Sequence, residues 1–196
     1  VHPSTAQDRQ SIVVQLVEAN GITRDLTKDA ALTLADPAVA RIEGSTLVPL
    51  ADGDTTLQIS AGGQTLSVPV HVERAAEDPH LSFRLDIMPI FMRNGCNSGA
   101  CHGAARGKDG FRMSLFGFDP AADYQRLTRE ISGRRINLAL PDDSLILTKG
   151  TNAVPHGGGQ KIKPDDEYYA TIRRWLVEGA NDDPAPAEVP TVEKVE

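Results

Sequence analysis

The stretch FMRNGCNSGACHGAARGKDGF, residues 91–111, holds both cysteines of the chain, Cys96 and Cys101, and the second is followed at once by His102. What this trio does decides how the residues around it are read. A disulfide across four intervening residues would close only a small loop and leave His102 without a role. A zinc site needs four ligands, and the adjacent side chains of Cys101 and His102 diverge too far to share one tetrahedral ion comfortably. A thioredoxin-like redox pair requires C-x-x-C ahead of a helix in an α/β pattern, and that pattern is absent. Two buried thiols beside a surface histidine are the plain structural alternative.

The option that employs all three residues is covalent haem. In the usual C-x-x-C-H signal two thiols add to the haem vinyl groups, and the next histidine ligates the iron from the proximal side. Here the spacing is CNSGACH, with four residues between the cysteines. The vinyl groups are a fixed distance apart, so the extra residues must bulge, and Gly99 between Ser98 and Ala100 supplies the freedom to do so.

Working outward, residues 9–74 read as β. The runs SIVVQLVEA, ALTLA, VARIEG, STLVPLA, TTLQISA and QTLSVPVHVE are rich in Val, Ile, Leu and Thr and are punctuated by Gly, Asp, Asn or Pro. That rhythm predicts a small antiparallel sandwich. In TLSVPVHV the alternation places Leu66, Val68, Val70 and Val72 on one face, and Pro69 predicts an edge position. Residues 75–80, AAEDPH, form a polar linker. Beyond it Phe83, Ile87, Ile90 and Phe91 fall at helical spacing, with Ser82 as N-cap and Pro89 as a kink or restart. KPDDEYYATIRRWLVEGAN carries a full set of helix marks, from Pro164 and the acids after it to the stop at Gly179. The end of the chain, NDDPAPAEVPTVEKVE, is a Pro- and acid-rich linker whose TVEKVE resembles the opening of another strand.

The 196 residues are 40% hydrophobic, enough for one medium domain or two small ones. A net charge of −7 and a pI near 5.2 argue against nucleic acid as a partner. No apolar run approaches the roughly 20 residues that span a bilayer. The chain starts with Val and reads as a mature or excised segment, with any signal peptide outside it.

Two families resemble these halves. GITRDLTKDAALTLADPAVARIEGSTLVPLADGDTTLQISAGGQTLSVPVHV is similar to the bacterial immunoglobulin-like group 2 domain, which implies a structural or adhesive β-sandwich. GCNSGACHG, SLFGFDPAADY, GRR, SLI and PHGGG, in that order over residues 81–181, resemble the planctomycete-type cytochrome c module with an extended C-x4-C-H site. The expected fold is therefore multidomain: an all-β immunoglobulin-like sandwich over 1–75 and a mainly α cytochrome c-like haem domain over 76–182. Residues 183–196 would be a linker or the start of a further β domain.

That resemblance implies one covalent haem c, with Cys96 and Cys101 as thioethers and His102 as proximal iron ligand. His156 in AVPHGGGQKI, on a loop ahead of the last helix, is the candidate distal ligand, with Met113 the alternative; an open, five-coordinate site is the remaining one. Arg134, Arg135, Lys149 and Lys161 are candidates to neutralise the propionates, against the plain alternative of solvated surface charge. The expected function is single-electron transfer in an exported, periplasmic or otherwise extracytoplasmic protein of several domains. Its redox partner protein stays unspecified, and self-association through an exposed haem edge is a further expectation. Rival expectations are an adhesion or interaction module without haem, and a haem-based sensor or small-ligand binder. HGGG also occurs in esterase oxyanion holes, but there is no G-x-S-x-G nucleophile elbow to accompany it.

Overall fold

The computed structural model describes residues 1–131 and 133–183, and the chain divides between Pro79 and His80 into two compact units.

The first unit contains β1 (Gln10–Ser11), β2 (Gln15–Val17), β3 (Thr23–Asp25), β4 (Ala31–Leu34), β5 (Ala40–Glu43), β6 (Thr46–Pro49), β7 (Gly53–Ala61) and β8 (Gln64–Val72). They form three antiparallel sheets, ordered β1-β6-β5, β2-β3 and β4-β7-β8. The long β7–β8 pair runs in register from Gly53 opposite Val72 to Ala61 opposite Gln64. Gly62 and Gly63 close it, both at positive φ (58° and 77°), as a two-residue hairpin that follows strand twist requires.

The expected stripe on β8 has the right face, but it sinks into the core only at one end. Val70 and Val72 are 1% exposed, while Leu66 is 61% exposed. Pro69, which cannot donate to a ladder, sits on this edge strand. The first residues cover the outer edge, where the N–H of His71 donates to the Val1 carbonyl at 3.0 Å. Both three-stranded sheets feed one apolar core, with Ala40 and Leu47 from one and Leu57, Val70 and Val72 from the other. Each fully buried Leu or Val there contributes about 1.5–3 kcal/mol relative to exposure. SIVVQLVEA, expected as one strand, breaks into β1 and β2 because Ile12 turns inward between them.

In the second unit the Ser82 hydroxyl accepts the Leu85 N–H at 2.9 Å, opening a wide π-type turn over Phe83–Ile87. Helix α1 (Met88–Arg93) restarts after it with Pro89 in its first turn, where a missing N–H costs nothing. Asp119 caps α2 (Pro120–Thr128) by accepting from the N–H of Ala122. Helix α3 spans Leu145–Gly150, and α4 spans Glu167–Val177. Pro164 lies outside α4 because Asp166 is the cap, accepting the Tyr169 N–H at 2.8 Å. The expected stripes do meet: Phe83, Ile87, Phe91, Ile172 and Leu176 share one core with Trp175, Leu127 and Leu147. Phe83 packs edge-on to Tyr124 and tilted on Trp175, with ring centres 5.3 and 5.5 Å away.

The expected mainly α cytochrome c-like domain is corrected by this architecture. The regular structure is mainly β, in three small antiparallel sheets, and the four α-helices among the described residues have only 6, 9, 6 and 11 residues. The physical reason is glycine: twelve of the seventeen lie beyond Pro79, and Gly95, Gly107, Gly110, Gly117 and Gly133 adopt positive φ. A positive-φ residue ends a helix, so the chain between helices runs through turns. The expected strand at TVEKVE lies outside the described residues.

Candidate functional site: two parallel imidazoles

After α1 the chain coils tightly on itself. Cys96 donates its N–H to the Phe91 carbonyl, Cys101 and Gly103 both donate to Ser98, and His102 donates to the Cys96 carbonyl, all at 2.9–3.0 Å. The coil closes because residue 103 is glycine: a Cβ there would lie 2.1 Å from the Asn97 carbonyl oxygen. A second turn, over residues 108–111, brings Phe111 back onto His102. The carbonyl of Phe111 lies 2.8 Å from His102 Nδ1, and the two rings are 4.7 Å apart at 49°. A carbonyl only accepts, so Nδ1 carries the proton and donates, and the Nε2 lone pair of the neutral ring is left free.

His156 is prepared in the same way. Its Nδ1 lies 2.9 Å from the Gly159 carbonyl. Lys149 Nζ donates to Pro155 at 2.5 Å and Lys108 Nζ to Gly157 at 3.3 Å, tying this loop to neighbouring segments. Residue 158 is tightly placed, since a Cβ would sit 3.0 Å from His156 Cε1 and the ring would have to shift. The fold brings His102 and His156 together with ring centres 6.3 Å apart and planes within 9° of parallel.

Burial pushes the His102 pKa below its usual value, and His156 adds to this, while the Phe111 carbonyl and Asp109 oppose it. Burial also pushes the Cys96 thiol up to about 11, against the pull of Lys161. Cys96 and Cys101 are both half-buried free thiols.

The other candidates are placed less suggestively. Met113 is 2% exposed and belongs to the apolar core, whereas Met92 is 47% exposed. Arg134 is exposed on the surface. Arg135 is buried and committed to the carbonyls of Arg126 and Glu130. Lys149 is held by Pro155, and Lys161 packs near Gly158. His71 pairs with Asp54 at 2.8 Å within the first unit, and His80 with Glu178 at 3.5 Å within the second.

The cofactor expectation is corrected here. Among the described residues no group of three or more His, Cys, Asp or Glu is placed to hold a metal ion. Cys96 is kept as a neutral thiol by burial rather than as a reactive thiolate. The C-x4-C-H attachment expected at Cys96, Cys101 and His102, and the haem c it was to carry, therefore lack support and are withdrawn.

Sequence reasoning missed Phe111, Gly103 and Asn97. Asn97 is fully buried, and neither polar atom of its carboxamide meets a protein partner. The one signal for Phe111 was its place just after the KDG turn. No protein-family model matches the chain, and no curated protein matches it. No helix among the described residues is long and apolar enough to cross a membrane.

Proposed function

We propose that the unit beginning at His80 is a single-electron-transfer module that seats one redox-active metal complex between His102 and His156. The imidazole pair supports this reading. Two imidazoles that approached one metal from opposite sides, with bonds of about 2.0–2.1 Å, would have ring centres a little over 6 Å apart. The ring centres here are 6.3 Å apart, and the planes are nearly parallel. Both rings also have Nδ1 committed to a backbone carbonyl, the outer-shell arrangement that fixes a ligand's tautomer and raises its basicity.

Two imidazoles do not fill a coordination sphere, so the remaining donors come with the complex rather than from the described side chains. The chemistry the complex supplies is one-electron exchange. The chain would hold it through His102 and His156, whose rings Phe111 and Gly159 orient. The first unit, similar over residues 9–73 to an immunoglobulin-like group 2 domain, serves as a structural or adhesive part of a larger exported protein.

A potentiometric titration of the metal-loaded chain tests the assignment. A His156→Met substitution raises the midpoint potential, because a thioether favours the reduced metal. An unchanged potential would remove His156 from the site. One observation favours a second reading, an interaction module: Leu115, Phe116 and Phe118 are 46%, 64% and 90% exposed in a single run. Sedimentation of Phe118→Ser beside the natural chain separates the two, since only an interaction module loses an association while its metal content stays constant.

A further inference from the structure

We infer that Arg135 is a positioning residue for His102, acting through Phe111. Arg135 is 7% exposed, in an acidic chain whose other arginines mostly reach solvent. Its Nη1 donates to the carbonyls of Arg126 and Glu130, at 2.6 and 2.7 Å, and its Nη2 pairs with the Glu130 carboxylate at 3.1 Å. These carbonyls belong to the C-terminal end of α2, where no helical N–H is left to satisfy them. The backbone of Arg135 is fixed as well, since its carbonyl accepts from the N–H of Ile146 at 3.1 Å, in the first turn of α3. The end of α2 thus holds the guanidinium, and α3 holds the backbone that carries it.

The charge so held faces an aromatic ring. Arg135 Cζ lies 4.4 Å from the centre of the Phe111 ring, within cation–π range. Phe111 in turn touches His102 twice, by its ring at 4.7 Å and by its carbonyl, which accepts from Nδ1 at 2.8 Å. The path is continuous: the end of α2 fixes Arg135, Arg135 fixes Phe111, and Phe111 sets both the plane and the tautomer of His102. A lysine cannot substitute, because it offers one point charge and no planar fork to span two carbonyls and a carboxylate at once. The role is distinct from the propionate contact considered for this residue, which would need its donors free.

The inference rests on reading His102 as a ligand, but its test uses the metal-free chain, so the two can fail separately. The experiment is a measurement of imidazole 15N shifts in uniformly labelled protein, at a pH where His102 is neutral. The natural chain shows His102 with the proton on Nδ1. Arg135→Lys lowers the ratio of the Nδ1–H to the Nε2–H form roughly fivefold, the loss expected for one loosened hydrogen bond. His156, in the same spectrum, keeps its tautomer, and Trp175 fluorescence confirms the fold. Glu130→Gln is a milder second variant at a half-exposed position; it moves the ratio the same way by a smaller factor while leaving the core untouched. A His102 tautomer ratio unchanged in both folded variants, or an equal change at His156, would overturn the assignment.

Discussion

The two units hold their shape by different means. In the first, side-chain alternation carries the information: alternate residues of β7 and β8 share one face, and Leu57, Val70 and Val72 on it fill the core. In the second, long stretches have no repeating pattern, and single close approaches fix the chain, such as Gly103 against the Asn97 backbone and Gly158 against the His156 ring. The lesson concerns tolerance. A sheet face absorbs a substitution by local repacking, whereas a coil closed by one backbone contact has nowhere to put an extra methyl group.

The contrast predicts its largest effect at Gly103. A Gly103→Ala change places Cβ on a backbone oxygen and costs the second unit about 3 kcal/mol or more. Urea unfolding followed by Trp175 fluorescence reports this unit alone, because Trp175 is the only tryptophan and lies in its core. The Leu57→Ala change should cost the first unit about 2–5 kcal/mol, seen in its β circular dichroism. If the two units unfold independently, the Trp175 midpoint stays in place. A Trp175 shift with Leu57→Ala would break the comparison.

Cys96 gives an effect of intermediate size with a definite sign. Its folded pKa of about 11 lies above the ordinary value of 9.0, so the folded chain holds the thiol proton more tightly than the unfolded one. The resulting stability, up to ~3 kcal/mol, is fully present below pH 9 and is lost as the pH rises towards 11. Unfolding curves between those values should show the loss, and Cys96→Ser should remove it.

A smaller effect on stability, with a larger one on function, is expected at Gly158. Alanine there pushes on the His156 ring, so metal retention by equilibrium dialysis falls about tenfold, consistent with the cost of disturbing a ligand's orientation. The smallest effect is Leu66→Thr, at an exposed strand position, which shifts stability by less than about 0.5 kcal/mol.

What the sequence revealed follows the same divide. The faces of β8, the edge role of Pro69, the Ser82 cap and the apolar stripes of α1 and α4 were all readable, because each is set by neighbours a few residues away. The extent of helix was misjudged, since positive-φ glycines cut short segments whose composition suited a helical domain. The haem attachment was misjudged through motif spacing, which places residues along the chain without showing how many donors converge. The link from Arg135 through Phe111 to His102 was invisible, because it joins residues brought together by packing rather than by period.

The central claim is that His102 and His156 hold one metal between them. Pulsed electron paramagnetic resonance on the metal-loaded chain, with 15N-labelled histidine, tests it most directly. The account predicts one paramagnetic centre per chain coupled to two histidine nitrogens, reduced to one by His156→Ala. A chain that retains no metal, or a centre whose nitrogen couplings are the same in that variant, would contradict it.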